Sequence, residues 1–239
     1  MNAVQESIRE ALAAHADPER AAAQQAYMRS KMPFYGLPMS VVRREVRRAV
    51  QTDSCASRCE GRLRPEPRDV TPSDVRLLWD EATHREERYA AITLLRHRVS
   101  REWAHDPSPE TLDLLRHLIT TGAWWDLVDE IASHCVGDLL RAHPAVMAPV
   151  LRGWSREPDL WLRRTAIISQ LRSGYATDLD LLTFAIEGSV DDPDFFARKA
   201  IGWALRQHAR SDPAWVRAYV DANRDRLSPL SVREALKHL

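Results

Sequence analysis

The sequence predicts an all-α protein, a HEAT-like solenoid of stacked antiparallel helix pairs with a concave face. Prolines are many (14) and glycines few (8), and the prolines repeatedly follow a polar residue, where a helix can start without losing a hydrogen bond. The stretches between them carry apolar residues at helical spacing, as in Tyr89, Ile92 and Leu95. Alternating strand patterns are absent from the sequence.

Helix starts are expected where a capping residue precedes proline. These pairs are Asp17-Pro18, Thr71-Pro72, Ser108-Pro109, His143-Pro144, Glu157-Pro158, Asp192-Pro193, Asp212-Pro213 and Ser228-Pro229. The predicted helices span residues 3–15, 18–31, 39–51, 73–83, 85–104, 109–121, 124–142, 144–155, 158–173, 177–189, 193–210, 213–225 and 229–239.

The organisation predicted from these helices is one domain over residues 1–239. From the middle of the chain onward the helices form short-linked pairs, and each pair must stack on its neighbours to bury both faces. A compact helical bundle is the alternative, because no crisp sequence repeat is visible. Residues 52–70 are polar and contain proline and arginine, so they predict an inserted loop or hairpin.

Charge and cysteine content limit the classes of function. The 34 Lys and Arg balance the 34 Asp and Glu, so binding to nucleic acid would require cations gathered on one face. Three cysteines are too few for a disulfide framework, and the sequence contains neither a signal-peptide pattern nor a membrane-spanning apolar run. We therefore expect a soluble, cytoplasmic protein. We also expect a monomer.

The predicted helix 124–142 offers the first candidate site. One apolar row should face the core: Trp124, Val128, Ile131, Cys135 and Leu139. Trp125 is offset from this row by about 100° and shares its face with Asp129, one turn later. An indole beside a carboxylate can hold a sugar ring and stabilise positive charge on it. The structural alternative is an acid favoured by the helix dipole beside a half-buried tryptophan.

Two further residues stand out on later helices. Arg164 falls on the apolar row of Leu160 and Ile167, so it needs an anionic partner, either a phosphate or a nearby aspartate. Trp203 falls on an amphipathic row with Phe196, which is typical of the rim of a core.

Metal and cofactor chemistry have little support. Cys55 and Cys59 have loose ligand spacing and no nearby histidine, which argues against a zinc site. The few scattered glycines form no phosphate-binding loop. We expect no metal and no cofactor.

Five segments, in order along the chain, resemble the DNA alkylation repair proteins of the AlkD-like family, the HEAT-like-repeat DNA glycosylases. They are AYMRSKMPFYGL, TTGAWWDLVDEIASHCVGDLL, DLWLRRTAIISQL, FFARKAIGWALRQHA and LSPLSVREALKHL. The most specific stretches are WWDxVD and KAIGWxLR, and the resemblance covers nearly the whole chain outside 52–70. Several ordered segments are stronger evidence than any single motif.

The resemblance implies a set of site residues. Trp125, Asp129 and Trp203 would line the catalytic cleft, and Arg164 would grip a DNA phosphate. Tyr27 would lie at the DNA surface.

The resemblance also implies an activity. The protein would hydrolyse the N-glycosidic bond of cationic N3- or N7-alkylated purines in double-stranded DNA, without base flipping, in base excision repair in the bacterial cytosol. Two alternatives stay open: a self-resistance glycosylase for a bulky N3-adenine adduct, and a non-catalytic HEAT-repeat scaffold that binds DNA or protein.

Overall fold

The computed structural model describes residues 3–51 and 70–239, which are helices joined by turns, with no strand among them. The prediction of an all-α chain is confirmed, and the helical packing fits a helical-repeat fold. The insertion predicted at 52–70 lies outside the described residues except for Val70, as do Cys55 and Cys59. No helix in the described ranges is long and apolar enough to span a bilayer.

The chain divides into two compact units, Met1–Ala104 and His105–Leu239. The single domain predicted over residues 1–239 stays a prediction. Helices of the first unit are α1 (Ala3–Ala14), α2 (Pro18–Met28), α3 (Met39–Ala49), α4 (Pro72–Asp80), α5 (Arg85–Leu95) and α6 (Arg101–Ala104). Those of the second are α7 (Pro109–Gly122), α8 (Trp125–Glu130), α9 (Gly137–Ala142), α10 (Pro144–Trp154), α11 (Leu160–Ile168), α12 (Leu179–Glu187), α13 (Phe195–His208), α14 (Pro213–Ala222) and α15 (Pro229–Ala235).

Most of the predicted helix starts are confirmed. The side chain accepts a backbone N–H of the first turn at Asp17, Thr71, Ser108, Asp212 and Ser228. Two predicted starts are wrong by two residues, because α11 and α13 are capped by Asp159 and Asp194 rather than by the acids before Pro158 and Pro193. In each case the second acid, after the proline, makes the capping hydrogen bonds.

In the N-terminal unit, a buried carboxylate fixes the segment that follows α2. Glu86 on α5 accepts the backbone N–H groups of Tyr35, Gly36 and Leu37 at 2.8–2.9 Å. Gly36 has φ of +87°, and a β-carbon there would lie 2.2 Å from the carbonyl oxygen of Asp17. The segment is therefore held by hydrogen bonds that satisfy its own buried donors and by a glycine that nothing larger can replace.

In the C-terminal unit, the helices form two packed layers. The first, called the site layer, runs from the α8–α9 segment through α11 and α13 to α15, each packed on the next. Helices α7, α10, α12 and α14 pack against it on the opposite side. The site layer carries all of the predicted site residues except Tyr27.

The helix predicted at 124–142 is interrupted by a π-helical turn, Ile131–Val136, between α8 and α9. Val128, Ile131 and Leu139 are buried as predicted, but Trp124 and Cys135 are only half-buried. The prediction that Trp124 and Cys135 pack fully into the core is therefore wrong. Cys135 lies within the π turn, which adds a residue and shifts the faces there, whereas Trp124 precedes the turn. The helix predicted at 85–104 is also interrupted, by a 3₁₀ turn at Arg98–Ser100.

Near the end of α13, His208 is 7% exposed and packs edge-on against Trp215. Burial lowers the pKa of His208 below its ordinary value of 6.5. The folded protein therefore favours the neutral ring over the protonated ring. The neutral ring contributes its full share to the free energy of unfolding above the unfolded-state pKa. This share is lost as the pH falls through the folded-state pKa. We expect His208→Phe to reduce the drop in Tm between about pH 7.5 and 5.5.

Thermal denaturation at several pH values checks this prediction. The exposed His238 provides the control, since His238→Asn should leave the drop in Tm as it is in the parent protein. An unchanged pH dependence in His208→Phe would show that the buried ring does not cause it.

Candidate functional site

The structure joins Asp129 and Arg164 in a two-pronged ion pair. Arg164 donates from Nε to Oδ1 at 2.7 Å and from Nη2 to Oδ2 at 2.9 Å. The arginine side chain is 4% exposed and the aspartate side chain 16% exposed. The sequence predicted either a phosphate or an aspartate as the anionic partner of Arg164. In the structure, the partner is an aspartate, Asp129.

Arg164 also binds the next helix of the site layer. Its Nη1 donates to the backbone carbonyl oxygen of Phe196 in the first turn of α13, at 2.7 Å. One guanidinium thus connects α8, α11 and α13. Because Nε, Nη1 and Nη2 of Arg164 each donate to a protein oxygen, the geometry does not favour a phosphate contact, which stays a prediction.

Trp203 lies beside this ion pair. The guanidinium carbon of Arg164 is 6.0 Å from the ring centroid of Trp203 and 5.9 Å from that of Phe196. Trp203 is half-buried and the Asp129 side chain is 16% exposed, so the indole and the carboxylate that both interact with Arg164 are each partly accessible to solvent. Cation–π attraction at this distance helps to hold the indole in place.

Trp125 is the first residue of α8, four positions before Asp129, and it is half-buried. Residues at this spacing share one face of a helix, as predicted. This arrangement follows from where α8 begins. Trp124 has extended backbone angles, φ −155° and ψ 147°, so the helix starts at Trp125 and contains Trp125 and Asp129 in its first two turns.

An aromatic cluster that was not predicted from the sequence packs beside the ion pair of Asp129 and Arg164. The Phe196 ring lies 5.3 Å from Trp124 and 5.1 Å from Trp161 between centroids, and those two indoles are 6.3 Å apart. Edge-on and tilted contacts of this kind stabilise packing beyond the area they bury. The sequence contains only a weak indication of this cluster, because Phe196 lies on the predicted row of Trp203. No sequence pattern indicated that the backbone carbonyl of Phe196 would accept a hydrogen bond from Arg164.

The charge on Asp129 depends on Arg164. Burial raises the pKa of Asp129 above its ordinary value of 3.8, and the negative charge of Asp126 adds to this rise. The hydrogen bonds and positive charge of Arg164 lower the same pKa and so oppose both. Arg164 is therefore what favours the ionised carboxylate in this partly dehydrated position.

Tyr27 belongs to the N-terminal unit, in the last turn of α2, and is 78% exposed. The cations Arg29 and Lys31 follow it at alternate positions and are exposed as well. Exposed aromatic and basic side chains are typical of a surface that contacts nucleic acid. The DNA contact of Tyr27 stays a prediction.

The described residues contain no cluster of three or more His, Cys, Asp or Glu side chains placed to hold a metal ion. The site chemistry offered by the geometry consists of one carboxylate, one buried guanidinium and exposed indole surface. Such a site can stabilise positive charge on a bound group and hold an apolar ring.

A family model for DNA alkylation repair enzymes matches residues 8–239. The chain belongs to the DNA alkylation repair enzyme family. This membership confirms the coarser part of the resemblance stated above and supports a role in the repair of alkylated DNA.

A solved structure supports the same family. It is a "predicted DNA alkylation repair enzyme from Enterococcus faecalis", with 27% identity to this family member, a TM-score of 0.77, and coverage of 94% of this chain and 97% of that one. No curated protein matches the sequence. The chain therefore shares its fold with that structure.

Proposed function

We propose that the protein is a DNA glycosylase that hydrolyses the N-glycosidic bond of cationic N3- or N7-alkylated purines in double-stranded DNA. The observation that carries this proposal is the Asp129 carboxylate, held at both oxygens by the buried Arg164 beside the partly exposed indole of Trp203. Family membership supplies the class of damage.

The chemistry begins with the lesion. Alkylation at N3 or N7 places a positive charge on the purine, so the base is a good leaving group. When the bond between C1′ and the base nitrogen breaks, its electron pair leaves with the base, which becomes neutral. The positive charge moves to the sugar, which becomes oxocarbenium-like. The protein then needs only to stabilise this cation and deliver water.

Asp129 fits both tasks. A carboxylate in a site of reduced hydration stabilises a nearby cation more strongly than it would in water. The same oxygens can orient a water molecule toward C1′. The C–O bond forms, the water releases one proton to solvent, and an abasic deoxyribose is left.

The two tryptophans would hold the sugar. Their π faces attract C–H groups and positive charge, so Trp125 and Trp203 can cradle the deoxyribose as its charge develops. Because this arrangement acts on the sugar rather than on the base edge, we propose that the lesion stays in the duplex during cleavage. Bulky N3-adenine adducts would then be accepted together with methyl lesions.

Base release from DNA treated with a simple methylating agent tests the proposal. We expect free 7-methylguanine and 3-methyladenine, separated by chromatography, at rates that rise with protein concentration, and unmodified DNA should release no base. DNA with a bulky N3-adenine adduct, assayed in parallel, distinguishes a general glycosylase from one devoted to large adducts. Binding to methylated DNA without any base release would instead indicate a scaffold.

A second prediction concerns Trp203. Trp203→Ala should slow base release by about tenfold, in line with the loss of one well-placed cation–π contact of about 1–2 kcal/mol. Single-turnover rates measure the effect. Tyr175, which is 87% exposed in the same unit, provides a matched aromatic control. If Tyr175→Ala slowed release as much as Trp203→Ala, the assignment of Trp203 would be wrong.

A further inference from the structure

The π turn at Ile131–Val136 brings two residues of one helix to the same side. Asp129 and Gly137 are eight positions apart, before and after the turn. In a regular α-helix they would differ by about 80° in direction. A π turn accommodates one extra residue, so the two behave as if about seven positions apart and differ by only about 20°. Both therefore face α11.

Gly137 is in backbone contact with the end of α11. A β-carbon at Gly137 would lie 2.5 Å from the carbonyl oxygen of Ser169, which real β-carbons do not approach so closely. The backbone of Gly137 is ordinary helix, with φ of −66°, so glycine is needed here for space and not for conformation. Ser169 is buried and follows Arg164 by five positions.

The helix that carries Asp129 is thus tied to α11 at two points. One is the ion pair between Asp129 and Arg164, and the other is the contact of Gly137 with Ser169. Between them, the hydroxyl of Ser133 in the π turn donates to the carbonyl oxygen of Asp129 at 2.6 Å. At the second point, the absence of a side chain on Gly137 lets the two helices approach closely enough for the carboxylate to reach the guanidinium.

We propose that Gly137, together with the π turn, is a positioning residue that holds the Asp129 carboxylate where Arg164 binds both of its oxygens. Its catalytic consequence rests on the proposed glycosylase function. The charged groups that act on Asp129 are Arg164 from α11 and Asp126 from its own helix. Moving the helix away from α11 weakens the attraction between Asp129 and Arg164 and leaves the repulsion between Asp129 and Asp126 unchanged.

The test is Gly137→Ala. The added methyl group must push α9 away from Ser169, which lengthens the distance between Asp129 and Arg164. We expect base release to slow by about tenfold, with unchanged affinity for abasic-site DNA. The acid limb of the pH profile should move upward by about one pH unit, because Asp129 loses part of the cationic interaction that keeps it ionised.

The chain offers two matched glycine controls. Gly188 in the opposite layer is equally crowded, since a β-carbon there would lie 2.0 Å from the carbonyl oxygen of Ser155, and its backbone is also helical. Gly188→Ala should lower Tm without moving the pH profile. Gly153 has no neighbour within 4 Å of such a carbon and is exposed in α10, so Gly153→Ala should leave the pH profile unchanged and should not lower Tm.

A measurement that does not depend on catalysis keeps the positioning role testable by itself. NMR titration of the Asp129 carboxyl group should give a higher pKa in Gly137→Ala than in the parent protein, and no change in Gly188→Ala. Ser133→Ala adds a variant without any clash and should shift the pKa in the same direction by a smaller amount. An unchanged pKa in Gly137→Ala would overturn the positioning role, whatever Ser133→Ala shows. A shifted pKa in a protein that releases no base would overturn only the glycosylase proposal.

Discussion

Asp129→Asn is expected to slow release of 7-methylguanine and 3-methyladenine by about 100- to 1,000-fold, equivalent to about 2.7–4 kcal/mol of transition-state stabilisation. The amide keeps the shape of the side chain but removes the negative charge that would face the sugar cation. Binding to abasic-site DNA should not weaken, because a carboxylate makes no attractive contact with phosphates. Single-turnover base release and equilibrium binding measure the two effects separately.

Two controls make this result specific. Asp138→Asn removes another ion-paired carboxylate of the same helical segment, which binds Arg141 and Arg172 at the surface, and should leave base release as it is. Asp129→Asn will also lower Tm, because a buried arginine loses its charged partner. Rates are therefore compared well below both melting temperatures. Release at the parental rate would remove Asp129 from the mechanism.

Much of the fold could be predicted from local chemistry. Ser108 and Ser228 precede proline and cap their helices as expected, because the capping hydrogen bond forms within four residues of sequence. The π turn gave no comparable signal. Its residues have the apolar spacing of a continuous helix, and the shift of faces becomes visible only in the structure.

The site was predictable in its residue types but not in its connections. Periodicity showed that Arg164 lies on a buried row and must have an anionic partner. It could not identify that partner, because Asp129 is 35 positions away in the sequence and the two meet only through packing of the layer. The contact with Phe196 leaves no trace in the sequence at all, since a backbone carbonyl is the same in every residue.

Arg164→Met is expected to give the largest change in pH dependence. Methionine fills a similar volume without charge, so burial and the repulsion of Asp126 act on Asp129 without opposition. A carboxylate beside an arginine commonly has its pKa lowered by about 1–3 units, so this loss should move the acid limb of base release upward by a similar amount. The acid limb moves upward because the active form has an ionised Asp129. When its pKa is higher, the carboxylate becomes protonated at a higher pH and the rate of base release falls earlier on acidification.

Three comparisons distinguish positioning from a phosphate contact. Arg164→Lys restores the charge without the two-pronged geometry and should recover part of the shift. Arg163→Met removes a neighbouring ion pair with Asp192 and should lower Tm without moving the acid limb. If Arg164 binds a phosphate, Arg164→Met will reduce the slope of log affinity against log salt by about 0.9. Because the Arg164 side chain is 4% exposed and is held by Asp129 and Phe196, we expect the slope to stay unchanged.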